Sequence, residues 1–485
     1  MRTLFIICLT LIHSLSFAIT ATEQRINANL QHLTTTQLIK KLQAMPKGAD
    51  LHNHLGGAAY AEGLLKDASA GNYCINTLTL SAYAGDCANK NRLNFYAADA
   101  ELRDSLIDAW SMRHFISSNP KSGHDHFFAT FGKTSLLSNT YLANVLADLM
   151  QHAEDQHISY LELMVTIDKD ASGRLGRQLG MQKDWQSLQA KLMANGLPAI
   201  VNAMSDTLDT LEQQAKQIHP AVTKVKVAYL YQVLREQPPE MVFAQLLAGY
   251  LAAQHDARIV GINMVQPEDG KISLRDYHLH MQMIAYLHQQ FPQVKVSLHA
   301  GEMTSTFAAA GDLTFHINDA VNTAKALRIG HGVDIYSEAN RRLLLTYMAQ
   351  HHILVEINLT SNQQILNISG AQHPYALYQQ YNVPLALSTD DEGVTRSSLT
   401  QEYAKAMREQ HASYSELKML ARNSLQYAFL SGKSYWQDYS TLQPVTACRD
   451  MLEAPACQAY LASNAKAALQ AQLEADFISF EKGFV

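Results

Sequence analysis

Several features are scarce in this sequence, and each scarcity excludes a class of protein. Proline (12) and glycine (23) are too few among 485 residues for a collagen-like or low-complexity chain. Basic residues (38) do not outnumber acidic ones (44), which argues against binding to nucleic acids or anionic membranes. Beyond the N-terminal segment, no apolar run approaches the roughly 20 residues of a membrane-spanning helix. The 47% hydrophobic content instead suits a large core, in one barrel-sized domain or two ordinary domains.

The N-terminal residues have the pattern of an export signal. Arg2 supplies a positive charge, Leu4 to Leu15 are mostly apolar, and Ser16-Phe17-Ala18 places small residues before a cleavage point. We therefore predict a signal peptide at residues 1–18 and an exported protein, located in the periplasm or secreted. The mature chain would hold 37 basic and 44 acidic residues, a net charge of −7. The alternative, an uncleaved anchor, is disfavoured because the apolar run is short.

Cysteine is also scarce, and the spacing of the five cysteines is informative. Cys8 lies in the predicted signal, and the other four form two local pairs, Cys74 with Cys87 and Cys448 with Cys457. In an oxidising compartment this pattern indicates two disulfides. Three connectivities are open, and the local one closes the smallest loops. Four free thiols are the alternative; zinc binding is disfavoured because neither pair has C-x2-4-C spacing.

From Gly48 onward, eight β-like runs alternate with helical patterns, which predicts an α/β fold built as a (β/α)8 TIM-type barrel. The predicted strands are Ala49–Leu55, Ile158–Thr166, Val225–Leu234, Arg258–Val265, Val294–Ala300, Arg328–Gly332, Ile353–Leu359 and Val383–Ser388.

The intervals between these runs predict the domain organisation. A helical extension occupies residues 19–45, the barrel occupies 46–434, and an insertion follows the first strand at about 66–153. Residues 435–485 form a disulfide-clamped helical tail.

Polar side chains that suit a metal site follow four of the predicted strands. Because alternate residues of a strand face the same way, His52 and His54 point to the same side at the end of the first strand. The fifth, sixth and eighth strands end in His299 with Glu302, His331, and Asp390-Asp391. Strand C-termini form the active-site face of such barrels. Three histidines and one aspartate suit zinc with an open position for water, although buried core groups remain an alternative.

A second histidine pair, His124 and His126, lies in a stretch predicted to be a loop. We interpret this pair as ordinary polar surface.

Four segments resemble the signature segments of the adenosine deaminase family. The four segments are Met45-Pro46-Lys47-Gly48-Ala49-Asp50-Leu51-His52-Asn53-His54-Leu55, His299-Ala300-Gly301-Glu302, Arg328-Ile329-Gly330-His331-Gly332 and Ser388-Thr389-Asp390-Asp391. They occur in the family's order and extend from Met45 to Asp391. The segment from Gly261 to Asp269 is similar to the secreted branch, the adenosine deaminase-related growth factors.

The resemblance implies zinc-dependent hydrolysis of adenosine, and of 2'-deoxyadenosine, to inosine and ammonia. It implies one Zn²⁺ per chain, with His52, His54, His299 and Asp390 as ligands. Glu302 would protonate the purine N1, His331 would orient the attacking hydroxide, and Asp391 would hydrogen-bond N7.

Three positions depart from the family pattern on the sugar-recognition side. Gly56 stands where the intracellular branch has an aspartate that meets the ribose, Gln266 replaces a glycine, and Glu392 replaces a proline. We expect sugar recognition to come from the insertion between about Lys66 and Ala153. The candidate sugar contacts are Trp110, which could equally be a core aromatic, His126 and Glu162.

Other functions remain as alternatives. A two-metal amidohydrolase is disfavoured because the fourth strand ends Met264-Val265-Gln266-Pro267, without a bridging lysine. Deamination of AMP would require a basic cluster near the site, and an N6-substituted adenosine is a further candidate substrate. A binding or signalling role outside the cell is the non-enzymatic alternative. The expected partner is a small purine nucleoside, with no nucleic acid and no membrane for the mature form; a homodimer is left open.

Overall fold

The computed structural model describes residues 20–484, so the predicted signal peptide and Cys8 lie outside the described residues. Within that range, eight parallel strands form one sheet in chain order. The strands are β1 (Gly48–His54), β2 (Ile158–Val165), β3 (Lys226–Leu234), β4 (Ile259–Val265), β5 (Lys295–Ala300), β6 (Arg328–His331), β7 (Leu354–Ile357) and β8 (Leu385–Leu387). The predicted barrel is confirmed, and each strand is found within two residues of its predicted ends.

The barrel closes between its first and last strands, next to the predicted site. Asn53 at the end of β1 forms a parallel bridge with Asp390, three residues after β8. The Asp390 N–H donates to the His52 carbonyl, and the His54 N–H donates to the Asp390 carbonyl, both at 2.9 Å. The closure therefore holds Asp390 beside the two histidines of β1.

The strands are apolar because both of their faces are buried, as parallel sheets require. In β4, six of the seven residues are buried, and the helix Pro239–His255 that covers β3 and β4 is apolar around most of its circumference. The helices after β2 through β8 are Ala171–Leu179, Trp185–Ala194, Leu197–Ile218, Pro239–His255, Lys271–Gln290, His316–Asn322, Arg341–Gln350, Leu359–Leu366, Tyr375–Gln380, Glu392–Thr395, Leu399–Glu409 and Tyr414–Gln426.

The N-terminal extension forms two short helices, Ala21–Gln31 and Thr35–Leu42. Each begins with a capping box, in which a threonine side chain and a Glu or Gln three residues later satisfy free backbone N–H groups. Lys418 of the barrel then bridges Glu23 at 2.9 Å and Glu481 at 2.7 Å. These contacts hold the helices Ala21–Gln31 and Ala465–Lys482 to the same side of the barrel.

The segment between β1 and β2 contains a small disulfide-linked hairpin and several helices. Its elements are Ala61–Ala68, strands Tyr73–Ile75 and Ala82–Ala84, then Leu93–Ala98, Ala100–Ala109, Ser122–Thr140 and Leu142–Asp155. Cys74 pairs with Cys87, as predicted. The loop prediction for His124 and His126 is wrong: both lie in the helix Ser122–Thr140, whose Phe127 and Phe131 pack together one turn apart.

The C-terminal tail combines a short hairpin, Trp436–Asp438 with Gln443–Pro444, and two helices, Pro455–Ser463 and Ala465–Lys482. Cys448 pairs with Cys457, which confirms the second predicted disulfide. Among the described residues, no helix combines the length and the apolar character that crossing a bilayer requires.

Candidate active site and metal centre

Three imidazoles and a carboxylate converge at the C-terminal end of the barrel. The Nε2 atoms of His54 and His299 lie 3.2 Å apart, and Asp390 Oδ1 lies 3.4 Å from His52 Nε2 and 3.3 Å from His54 Nε2. Zinc bonds of about 2.0–2.1 Å would place tetrahedral ligand atoms about 3.3 Å apart. The spacing therefore matches the predicted set of three nitrogens and one oxygen around a single Zn²⁺.

Outer hydrogen bonds determine which nitrogen of each ring faces the centre. Every ligand histidine uses Nδ1 to contact a side-chain oxygen, so its Nε2 lone pair is directed inward, as in most metal-binding histidines. The pairs are His52 with Glu356 Oε2 at 2.7 Å, His54 with Gln232 Oε1 at 3.1 Å, and His299 with Asn263 Oδ1 at 2.9 Å.

The charges around His52 also favour a bound cation. Burial lowers the pKa of His52, but the neighbouring carboxylates of Asp390 and Glu356 outweigh it and raise the pKa to about 10. Without a metal, the site would therefore hold a proton at its centre. The buried His52 Nε2 has no hydrogen-bond partner among residues 20–484. A divalent cation would satisfy this atom and the Asp390 carboxylate together, so the residues fit zinc.

Glu302 lies in the loop after β5, beside the ligand group, with 8% of its surface exposed. Burial and the neighbouring Asp390 carboxylate raise the pKa of Glu302 well above its ordinary value. The backbone N–H groups of Gly301 and Glu302 both donate to Glu268, at 3.0 and 2.8 Å, and His316 contacts the same carboxylate at 2.6 Å. Glu268 therefore fixes the turn that presents Glu302.

Asp391 and His331 complete the polar lining. Burial raises the pKa of Asp391 to about 7, and its Oδ1 has no hydrogen-bond partner among the described residues. Burial lowers the pKa of His331 to about 3, so its ring is neutral. His331 Nε2 lies 3.9 Å from Asp390 Oδ2. Both groups are thus placed to contact a molecule held against the metal centre.

The backbone is strained where these side chains are presented. His331 (φ 69°) and Asp390 (φ 63°) adopt left-handed conformations, which non-glycine residues rarely adopt and which cluster at functional sites. Two glycines make room for the site. A Cβ at Gly330 would lie 2.5 Å from the His52 ring, and one at Gly57 would lie 1.6 Å from Asp391 Oδ1.

The residues proposed to contact the sugar have other partners. Trp110 is 2% exposed and its indole N–H donates to the Leu80 carbonyl at 2.7 Å, so it is a core aromatic of the insertion. His126 Nε2 contacts the Ser111 carbonyl at 2.9 Å. The prediction for Trp110 is wrong because its indole N–H is already satisfied within the insertion and the ring is buried. His126 is half-buried with one ring nitrogen engaged, so its contact with the sugar stays a prediction.

Glu162 is also not a sugar contact. It is fully buried and pairs with Arg328 at 2.7 Å, and it accepts the Phe429 N–H at 2.5 Å. Arg328 begins β6, so this ion pair lies toward the end of that strand opposite the metal centre. An acid inside the apolar strand β2 requires such a buried partner, and Arg328 provides it.

The insertion does cover one side of the active-site face. Met112 donates its N–H to the Val394 carbonyl at 2.8 Å, and Phe127 joins an apolar cluster with residues that follow β6, β7 and β8. That cluster consists of Met112, Phe127, Val333, Ile365, Leu366 and Val394. His124 Nε2 contacts Asp269 Oδ1, after β4, at 3.1 Å. The helix Ser122–Thr140 is thereby tied to loops from both halves of the barrel.

Comparison with known proteins agrees with this geometry. The model of the family described as adenosine deaminase matches residues 121–437, about two thirds of the chain. The chain belongs to the adenosine deaminase family. The segment before residue 121, which includes β1 and its two histidines, lies outside the match.

Curated relatives in this family share only part of their length with the chain. An adenosine deaminase from Aliivibrio fischeri is 35% identical over 147 residues, which is 29% of this chain and 41% of that protein. One from Edwardsiella ictaluri is 37% identical over 137 residues, 28% of this chain and 38% of that protein. The matches therefore span about two fifths of these relatives.

Solved structures share the fold over most of the chain. The N6-methyl-AMP deaminase of Arabidopsis thaliana has a TM-score of 0.53 and 19% identity, over 81% of this chain and 94% of that one. An amidohydrolase from Burkholderia ambifaria, solved with bound Zn, has a TM-score of 0.52 and 14% identity, over 97% and 96%. At these identities the likeness shows the barrel fold.

Sequence reasoning missed the side chains that support the ligands, namely Glu356, Gln232, Asn263 and Glu268. Glu356 had a signal, since an acid inside the apolar run Ile353–Leu359 requires a buried partner. The other three could not be separated from ordinary polar residues at strand ends.

Proposed function

We propose that this member of the adenosine deaminase family is a zinc-dependent aminohydrolase that converts adenosine, and 2'-deoxyadenosine, to inosine or deoxyinosine and ammonia. The observation that carries the proposal is the N3O ligand group with a buried carboxyl, Glu302, beside it. The partial identity to bacterial adenosine deaminases supports adenosine as the substrate.

Five side chains would carry the chemistry, four as zinc ligands and one as a proton donor. His52, His54, His299 and Asp390 would hold the zinc, which when bound lowers the pKa of water to roughly 7 and so supplies hydroxide at neutral pH. Addition of this oxygen at C6 requires the ring to accept an electron pair, and proton transfer from Glu302 to N1 makes that possible. The C6–N6 bond then breaks with its electron pair going to nitrogen, which takes up the proton lost by the new C6 hydroxyl and leaves as ammonia, while C6 and its oxygen form the carbonyl of inosine.

Asp391 would orient the purine through its free Oδ1. A hydrogen bond between this atom and N7 requires a proton on one of them, and a pKa of about 7 lets Asp391 carry that proton. Burial of the whole group excludes bulk water and strengthens each of these contacts.

Three further predictions remain proposals. We infer that the chain is exported, to the periplasm or beyond, and the disulfides Cys74–Cys87 and Cys448–Cys457 support this because such bonds persist in oxidising compartments. Membership of the secreted growth-factor-like branch and formation of a homodimer stay predictions from the sequence.

The test is turnover of purified, zinc-loaded protein with adenosine, 2'-deoxyadenosine, adenine, AMP and N6-methyl-AMP. Absorbance change and ammonia release are followed together, and zinc-free protein is the control. We expect ammonia from the two nucleosides at rates well above those with AMP, and loss of turnover without zinc. Release from AMP alone, or from none of the substrates, would refute the proposal. Metal analysis should give one zinc per chain; two essential ions would favour the two-metal alternative.

A further inference from the structure

A chain of buried hydrogen bonds leads from a backbone N–H to the ring of His331. The Tyr375 N–H donates to His373 Nδ1 at 3.2 Å. A backbone N–H can only donate, so His373 Nδ1 must be the acceptor and carries no proton. This first contact fixes the direction of every bond that follows.

His373 transmits that direction to Asn362. Its ring is buried, and burial lowers the pKa of His373 to about 3, so the imidazole is neutral and holds its single proton on Nε2. His373 Nε2 lies 3.0 Å from Asn362 Oδ1 and therefore donates to it. This contact orients the Asn362 amide, so that its oxygen faces His373 and its NH₂ group is directed away from His373.

The amide group of Asn362 meets His331. Asn362 Nδ2 lies 2.9 Å from His331 Nδ1, and Asn358 Nδ2 approaches the same atom at 3.4 Å. Glu302 Oε1 is 3.6 Å away from it, beyond hydrogen-bond distance. His331 Nδ1 is therefore an acceptor, and in a neutral ring the proton must reside on Nε2.

We propose that His373 and Asn362 are positioning residues that hold His331 as the Nε2–H tautomer, so that His331 donates a hydrogen bond to the attacking oxygen and does not take a proton from it. The Nε2 atom faces the metal centre, is fully buried and has no partner among residues 20–484. A fixed donor at this place stabilises negative charge on the oxygen as it adds to C6. The role of this donor in catalysis rests on the proposed function. The tautomer of His331 follows from the hydrogen bonds alone.

The first test reads the tautomer directly in zinc-loaded protein with ¹⁵N-labelled histidine rings. Two-bond ¹H–¹⁵N correlation spectra distinguish a protonated ring nitrogen from a bare one, and the His331 signals are assigned by their loss in His331→Asn. We expect a proton on Nε2 and none on Nδ1. A proton on Nδ1, or on both nitrogens, would overturn the proposal. This test requires no substitution of Asn362 or His373.

The second test reverses the bond to His331. Asn362→Asp keeps the shape but supplies only acceptors, so the His331 proton should move to Nδ1. Under the proposed function, kcat should fall by about 10²–10³-fold, the typical effect of losing one such donor, with KM and zinc content little changed. Asn367→Asp is the matched control, because Asn367 follows the same helix and is exposed. An unmoved proton in Asn362→Asp would refute the mechanism.

The third test concerns His373. His373→Gln retains an N–H donor for Asn362 and should preserve the Nε2–H tautomer of His331. His373→Leu removes that donor and should give a mixture of both His331 tautomers. Identical spectra for the two variants would exclude His373 from the positioning role. Because the spectra do not depend on turnover, a protein with the Nε2–H tautomer and no deaminase activity would refute the proposed function alone.

Discussion

Glu356 connects the metal centre to a buried ion network, and its substitution makes the sharpest prediction. Its Oε2 accepts His52 Nδ1–H at 2.7 Å, and its Oε1 contacts Arg328 Nε at 2.6 Å and the Ser297 hydroxyl at 3.0 Å. Glu356 and both charged partners are fully buried. A glutamine has one acceptor, so Glu356→Gln must leave either His52 or Arg328 facing an NH₂ group.

The magnitude follows from these contacts. Loss of an outer partner of a metal-binding histidine typically weakens metal affinity about 10–100-fold, which corresponds to about 1.4–2.7 kcal/mol. Breaking a buried ion pair costs about 3–5 kcal/mol. Because Arg328 keeps its pair with Glu162, we expect the lower end of that range for the free energy of unfolding of the zinc-free protein.

The assays are chelator-competition titration of zinc and denaturant unfolding with and without the metal. Glu402→Gln is the matched control, since Glu402 is equally buried but accepts a backbone N–H from Thr360 and forms no ion pair with any of residues 20–484. The control should retain wild-type zinc affinity. If folded Glu356→Gln also bound zinc as tightly as the wild type, the argument that Glu356 orients His52 would be wrong.

Three further predictions test the site. Glu302→Gln should lower kcat by about 10²–10⁴-fold with zinc retained, since it keeps the shape but loses the acid; a near-normal rate would exclude the proton-transfer role. Gly56 is exposed with open space around its missing side chain, so Gly56→Asp should lower the KM for adenosine by about two- to tenfold relative to Gly56→Ala, the value of one added hydrogen bond. Trp110→Ala should cost about 3–5 kcal/mol of unfolding free energy and leave KM unchanged, whereas a raised KM at normal stability would restore Trp110 as a substrate contact.

The sequence alone determined the barrel and the places where its chemistry lies. Long apolar runs such as Ile259–Val265 are characteristic of strands buried on both faces, and their alternation with helices leaves few folds. His52 and His54 share a face because strands have a period of two, and local pairing of the cysteines followed from loop size. These features depend on neighbours along the chain, so a linear pattern can reveal them.

Tertiary structure decided which polar groups remain free for substrate and which are already occupied. Trp110 and Glu162 looked available in the sequence, but Leu80 and Arg328, 30 and 166 positions away, satisfy them. The packed fold also brings Glu356 to the ring of His52, Asn362 to the ring of His331, and His373 to Asn362. A hydrogen bond between distant residues depends on angles and distances that only the packed chain defines, which is why periodicity could locate the metal ligands but not the groups that orient them.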